Sequence, residues 1–227
     1  MDTQAGGSRM ATTADGQHVD ELLEGYRRFR AEQWPERRAV FERLADRGQS
    51  PRTMVVACSD SRVDPTMIFD AEPGELFVLR NVANLIPPYE PDAAYHSASA
   101  ALEFAVRVLE VERLIVLGHA MCGGIRALLN GAPAPARDFL VPWMRIAEPA
   151  KERVLARAAA GGPARTPEEL QTACEREAIK LSLERLLTFP WIADRVRDGR
   201  LRLVGMSFDI RSGVLDALQP DGTFAPV

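Results

Sequence analysis

Four short apolar runs constrain what this chain can fold into more than any other feature. They are MVVAC at 54–58, LFVLR at 76–80, RLIVLG at 113–118 and RLRLVGMSF at 200–208. Each has the length of a strand, and runs this apolar suit strands covered on both faces, as in parallel sheets. Helical patterns fill the gaps between them. SASAALEFAVRVLEV places Ala101, Phe104, Ala105 and Val108 on one stripe, and GGIRALLNG follows the third run and stops at Gly131. The alternation predicts an α/β fold, with a mostly parallel central sheet flanked by helices and right-handed connections.

Ahead of the first run, VDELLEGYRRFR places Leu22, Leu23, Tyr26 and Phe29 near one helical face, and a second helix after Pro35 carries Val40, Phe41 and Leu44. Residues 18–47 therefore read as a helical arm, and residues 1–17, small and polar, as a disordered tail. Residues 18–227 are expected to form a single α/β domain. From Pro133 to Pro167 the chain is rich in Pro and Ala, which suggests short helices and a turn at Gly161 and Gly162. A long helix follows from Pro167 to about Thr188, with Thr166 and Glu169 as a capping box.

Charged residues make up 26% of the chain and hydrophobic ones 46%, ordinary for a globular protein, so disorder is not indicated. The net charge is −4, from 28 basic and 32 acidic residues. The basic residues are dispersed, so neither nucleic acid nor a membrane surface is an expected partner. No secretory leader pattern opens the sequence and no apolar run approaches bilayer-spanning length, so a cytoplasmic address is expected.

Three cysteines, Cys58, Cys122 and Cys174, are too few for a disulfide framework. Cys58 ends the first strand in VVACSDSRVD, and GHAMCGG, with His119 and Cys122, directly follows the third. All three residues would reach the carboxyl edge of one sheet, where open α/β sheets bind ligands. Two cysteines and one histidine point to a catalytic zinc site, with a fourth position left for water or substrate. A nucleophilic Cys58 with His119 as base would leave Cys122 idle, and a redox pair is more often C-x-x-C. Cys174, alone among charged neighbours in the long helix, reads as structural. So does His96, as a solvated histidine before a helix, and Asn81 and Asn84 read as turn residues.

CSDSRV, EPGELFVLRNVAN and GHAMCGG resemble the β-class carbonic anhydrases, and the likeness runs from about Gln49 to Phe208. ANLIPPYEPD is similar to the plant-type subgroup. The resemblance implies a zinc-dependent carbonate dehydratase, a lyase that hydrates carbon dioxide reversibly to bicarbonate and a proton. It implies Cys58, His119 and Cys122 as zinc ligands, with one Zn²⁺ per subunit, and Asp60 and Arg62 as the catalytic carboxylate and guanidinium beside the metal. It also assigns Gln49, Phe77, Val82 and Gly123 to the substrate pocket. Plant-type members have a tyrosine where this chain has Phe104, so the hydroxyl that would hold Gln49 is absent.

Zinc bound by two thiolates and a neutral imidazole carries no net charge and acidifies water weakly. Asp60 can accept a hydrogen bond from that water, while Arg62 keeps the carboxylate ionised and aimed. Asp60 could instead ligate the metal and close the site. Gln49 precedes the first strand, at the end away from Cys58, so the resemblance implies a homodimer or a dimer of dimers. In it Gln49 and Phe77 face the neighbour's metal, and the arm wraps that neighbour. Two alternatives remain open at this stage: a hydrolase of carbonyl sulfide or carbon disulfide on the same scaffold, and a non-catalytic zinc-binding or thiol sensor protein.

Overall fold

The computed structural model describes residues 14–92, 94–160 and 166–227. The chain divides into two compact units, one ending at Gly48 and the other running from Gln49 to Val227.

The first unit is helical. Helix α1 (Ala14–Arg28) is joined to α2 (Trp34–Arg47) through a π-helical turn over Phe29–Gln33. Residues 14–17, expected in a disordered tail, are the first turn of α1, whereas residues 1–13 lie outside the described residues. Phe29, Trp34 and Phe41 form a small aromatic group, with Trp34 stacked on Phe41 at 5.1 Å between ring centres. Leu22 remains 76% and Tyr26 58% exposed, so the apolar stripe read from the sequence is largely open to solvent.

The second unit is built on a sheet. In chain order its elements begin with β1 (Thr53–Cys58), α3 (Pro65–Ile68), β2 (Leu76–Asn81), α4 (Ser97–Glu103), β3 (Arg113–His119) and α5 (Gly123–Asn130). There follow α6 (Leu140–Met144), α7 (Glu148–Ala159), α8 (Pro167–Leu186), α9 (Pro190–Arg197), β4 (Arg202–Phe208), β5 (Leu215–Leu218) and β6 (Phe224–Pro226). Strand order is β2-β1-β3-β4-β5-β6. The first four strands are mutually parallel, and β5 and β6 add antiparallel to β4. All six residues of β1 are buried, as expected of a strand covered on both faces.

One face of the sheet packs through Met54, Val56, Leu114 and Val116 against Leu102, Ala105, Ile179, Leu186, Phe189 and Ile192, from α4, its extension, α8 and the α9 region. Each such fully buried aliphatic contributes on the order of 1.5–3 kcal/mol. A second cluster gathers Cys58, Cys122, Ile125, Met144, Ala147, Val154 and Cys174. It ties α5, α6, α7 and α8 to the carboxyl edge of the sheet.

Several sequence expectations change in detail. The helix expected through Val111 is α-helical only to Glu103, then continues as a π-helical turn over Phe104–Val108, where the Leu109 N–H reaches the Phe104 carbonyl. Strands β5 and β6 were not expected, and β4 starts two residues later than its apolar run. The Thr166 and Glu169 capping box is present, and α8 ends at Leu186. The turn expected at Gly161 and Gly162 lies outside the described residues. Among the described residues no helix is long and apolar enough to cross a membrane.

Candidate metal centre

The parallel register brings two strand ends together. Cys58 is the last residue of β1 and pairs with Asn81, while His119 is the last residue of β3 and pairs with Phe208. Cys122 comes three residues after His119, as the residue that caps α5. The turn between them uses Met121 at φ 57, in the left-handed region. The ligand atoms of Cys58, His119 and Cys122 lie within 4.8 Å of one another, and all three residues are buried. Tetrahedral metal–ligand bonds of about 2.0–2.3 Å would hold such atoms about 3.3–3.8 Å apart, so the side chains would close by about an ångström around an ion.

The donor chemistry fits a metal ion. His119 Nδ1 donates to the Ala120 carbonyl at 2.9 Å, which fixes the tautomer and leaves Nε2 with its lone pair. That Nε2 is buried and makes no hydrogen bond, an orphan that a cation would satisfy. The Ala83 N–H points at Cys58 Sγ at 3.4 Å. The neighbouring Cys122 sulfur, His119 and backbone N–H groups hold the Cys58 thiol well below its ordinary range, against burial. The Cys58 sulfur and burial together push Cys122 the other way. Burial disfavours protonation of His119, but the Cys58 sulfur and Asp60 outweigh it and shift the imidazole upward. A bound dication would favour the ionised form of both sulfurs.

Asp60 and Arg62 stand beside this cluster. Arg62 Nε donates to Asp60 Oδ1 at 2.8 Å and its Nη2 to Oδ2 at 2.7 Å, a two-pronged pair. The Arg62 fork holds the Asp60 carboxyl below the usual carboxylate range. Nη2 also reaches the Met121 carbonyl at 3.2 Å, tying the pair to the loop that carries Cys122. Asp60 Oδ2 lies 4.0 Å from His119 Nε2.

The substrate-pocket residues implied by the resemblance divide between the two ends of the sheet. Val82 opens the 3₁₀ turn after β2, and Gly123 opens α5 beside Cys122. A Cβ on Gly124 would stand 2.9 Å from Val82 Cγ1, so a glycine is needed where the two segments touch. Trp143 Nε1 pins the Val82 carbonyl at 2.8 Å. Phe77 instead pairs with Met54 at the opposite end of β1, and its ring stacks on Phe104 at 5.8 Å. Gln49, exposed, precedes Pro51 and the start of β1. The chain therefore gathers Cys58, Asp60, Arg62, Val82, His119, Gly123 and Cys122 at one edge and leaves Gln49 and Phe77 away from it.

Sequence reasoning missed Arg80, whose guanidinium bonds the carbonyls of Cys58 at 2.9 Å and Asp60 at 2.7 Å and the Asp64 carboxylate at 2.9 Å. It braces the whole loop after β1. Gln171 and Glu175 of α8, which bond the Cys122 backbone, were missed as well. The pattern Asp64-Pro65-Thr66 was a legible signal of a helix cap near the site. His96 pairs with Asp92 at 2.6 Å, away from the cluster. Asn81 bonds both polar groups of Leu85, as a turn residue does.

The family model for carbonic anhydrase matches residues 53–215. β-Carbonic anhydrase 3 of Arabidopsis thaliana is 35% identical over 213 residues, covering 92% of this chain and 80% of that protein. The chain belongs to the β-carbonic anhydrase family. The chloroplastic β-carbonic anhydrase 5 of the same plant is 38% identical over 187 residues, 82% of this chain, which spans 60% of that relative's length. Among solved structures, the β-carbonic anhydrase CcaA superposes with a TM-score of 0.86 at 34% identity, covering 93% of this chain and 92% of that one. A tetrameric β-carbonic anhydrase of Sordaria macrospora shares the fold, with a TM-score of 0.78 at 24% identity over 92% and 99% of the two chains. As a member of this family the chain is an enzyme of the carbonate dehydratase kind, and its edge cluster of Cys58, His119 and Cys122 could hold a metal ion.

Proposed function

We propose that this β-carbonic anhydrase hydrates carbon dioxide reversibly to bicarbonate and a proton, using one zinc ion per subunit held by Cys58, His119 and Cys122. The observation that carries the reading is the orphaned His119 Nε2, aimed at two cysteine sulfurs within 4.8 Å. Bound there, zinc supplies a Lewis acid that acidifies water for attack on carbon dioxide.

The chain's own residues do the rest. Nδ1 of His119 is spent on the Ala120 carbonyl, so only Nε2 is offered inward. The Ala83 N–H favours the ionised form of the Cys58 sulfur. Asp60 would accept a hydrogen bond from the attacking water, and the Arg62 fork keeps the carboxylate ionised and turned toward the cluster. Held this way, Asp60 would orient the attacking water.

The pocket for carbon dioxide is completed by a second copy of the chain. Val82 and Gly123 are supplied by the subunit that holds the metal, and Phe77 and the Gln49 amide by its neighbour. The register supports this, because Phe77 pairs with Met54 at the far end of β1 from Cys58. The exposed stripe of Leu22 and Tyr26 suits an arm that packs on another subunit. A dimer, alone or paired with a second dimer, is the proposed assembly.

Metal analysis of the purified protein, run beside a stopped-flow carbon dioxide hydration assay, tests the proposal. About one zinc per chain is expected, with activity lost on chelation and restored by zinc. A metal-free preparation that hydrates carbon dioxide at full rate overturns it, as does a zinc-loaded one that does not hydrate it.

A further inference from the structure

Cys122 reaches the cluster from a tight loop between β3 and α5, and it is 2% exposed. As the residue that caps α5, it has an N–H outside the helix ladder, and water does not reach it. The partner comes from a distant element. Glu175 Oε1, on α8, accepts from the Cys122 N–H at 2.8 Å. Gln171 Nε2, one turn earlier on α8, donates to the same Glu175 oxygen at 2.8 Å and to the Cys122 carbonyl at 3.3 Å. Residues four apart share a helix face, so one face of α8 holds both polar groups of the Cys122 backbone.

A buried carboxylate is costly unless it is well bonded, and Glu175 is only 4% exposed. Two residues on, Glu177 is equally buried at 4%, but it faces Arg153 and Arg157, with oxygens 3.4 Å and 2.8 Å from their guanidinium nitrogens. Burial alone therefore does not distinguish the two glutamates. What sets Glu175 apart is that its oxygen is bonded to the backbone of a metal-ligand cysteine.

We propose that Gln171 and Glu175 are positioning residues for the metal centre, a clamp that fixes the Cys122 backbone and so aims its sulfur at the ion. The clamp rests on the reading of Cys58, His119 and Cys122 as metal ligands. Holding the N–H and the carbonyl of one residue restrains its peptide planes on both sides, and with them the direction of its Cα–Cβ bond. Outer groups of this kind typically change metal affinity by about 10–100-fold when removed.

The test measures the zinc dissociation constant by chelator competition, together with the melting of the metal-free protein. Glu175→Leu keeps the bulk but removes the acceptor, and it should weaken zinc binding about 10–100-fold. Glu175→Gln keeps an oxygen for the Cys122 N–H and should stay within about threefold of the parent. Glu177→Gln, the control on the same helix, should leave zinc affinity unchanged. Unaltered affinity in Glu175→Leu overturns the clamp, and so does an equal loss in Glu175→Gln, which would assign the effect to charge rather than to the acceptor. If Glu175→Leu does not fold, Gln171→Leu decides: Gln171 is only half-buried, a loss of about tenfold is expected, and no loss overturns the clamp. A parent protein that binds no zinc overturns the metal centre and the clamp together, whereas a tight parent with an equally tight Glu175→Leu overturns the clamp alone.

Discussion

Phe77 stands directly across from Met54 in the pairing of β1 with β2, four positions before the Cys58–Asn81 pair at the carboxyl edge. At about 3.3 Å per residue its backbone lies roughly 13 Å from that of Cys58, and Gln49 comes before the strand begins. If a second subunit supplies both residues to the metal, Gln49→Ala and Cys58→Ser should complement one another. Mixed in equal amounts after dissociation, they should recover about a quarter of the parental rate, since half the dimers are mixed and each rebuilds one of two sites. Activity no higher than the sum of the separate mutants, with mixed dimers verified, removes the shared site.

Zinc content separates the three cysteines. Cys58→Ser and Cys122→Ser should each lose the metal and the activity. Cys174 is fully buried in the cluster that ties α8 to the sheet edge, but it is not among the three clustered donors. Cys174→Ala should keep its zinc at a cost of about 1 kcal/mol in stability. Equal loss of zinc from all three would undo the ligand assignment.

Acid stability should report on Asp64, the cap of α3. Its carboxylate accepts from the Thr66 hydroxyl, from the N–H groups of Thr66 at 2.9 Å and Met67 at 3.3 Å, and from Arg80. These bonds, the Thr66 hydroxyl foremost, hold the carboxyl below its ordinary range. A carboxyl lowered in the folded state stabilises above its unfolded pKa of about 3.9, and that contribution is lost as pH falls through the lowered value. Asp64→Ala should therefore cost about 1 kcal/mol at neutral pH. Denaturation at a series of pH values should show the gap from the parent closing below about pH 4. A gap unchanged down to about pH 2 would contradict the assignment.

Adjacent glycines at the head of α5 should behave differently. A Cβ at Gly124 would meet Val82 Cγ1 at 2.9 Å and Ala83 Cβ at 3.0 Å, whereas one at Gly123 meets nothing within 4 Å. Gly124→Ala is expected to cost about 1–3 kcal/mol through overpacking. Gly123→Ala should leave the melting temperature unchanged or raise stability by up to about 1 kcal/mol. Thermal melts of the two proteins decide, and a Gly124→Ala protein as stable as the parent would show that Ala83 and Val82 give way.

Phe104 stands where the resemblance to plant-type members implies a tyrosine. It is 42% exposed and its ring stacks on Phe77 at 27°. Phe104→Tyr adds a hydroxyl at the ring that shares Phe77's position, and it should leave zinc content unchanged and stability within about 0.5 kcal/mol. Turnover should be preserved or raised, as expected if the hydroxyl holds Gln49. A fall in turnover at full zinc loading would remove that role.

Local chemistry made much of this protein legible. The apolar runs marked the four parallel strands because a strand covered on both faces admits few polar residues, and Thr166 with Glu169 marked the start of α8 because a cap is satisfied within one turn. Cys58, Asp60, Arg62, His119 and Cys122 could be read because they lie within a few residues of two strand ends, so their placement needed only the sheet. By contrast, β5 and β6 are short and depend on pairing with β4 for their existence. The π-helical turn at Phe104–Val108 comes from hydrogen bonds that reach five residues back instead of four, as from the Leu109 N–H to the Phe104 carbonyl. Arg80, Gln171 and Glu175 were illegible for a different reason. An arginine at the end of an apolar run and two polar residues on a mostly polar helix look like ordinary solvated positions. Only the packing of α8 against the sheet edge turns Glu175 onto the backbone of Cys122, 53 residues away in sequence. The sequence thus determined which side chains could do the chemistry, through their attachment to strand ends. Tertiary structure alone decided what holds them in place, because a hydrogen bond between distant elements leaves no pattern along the chain.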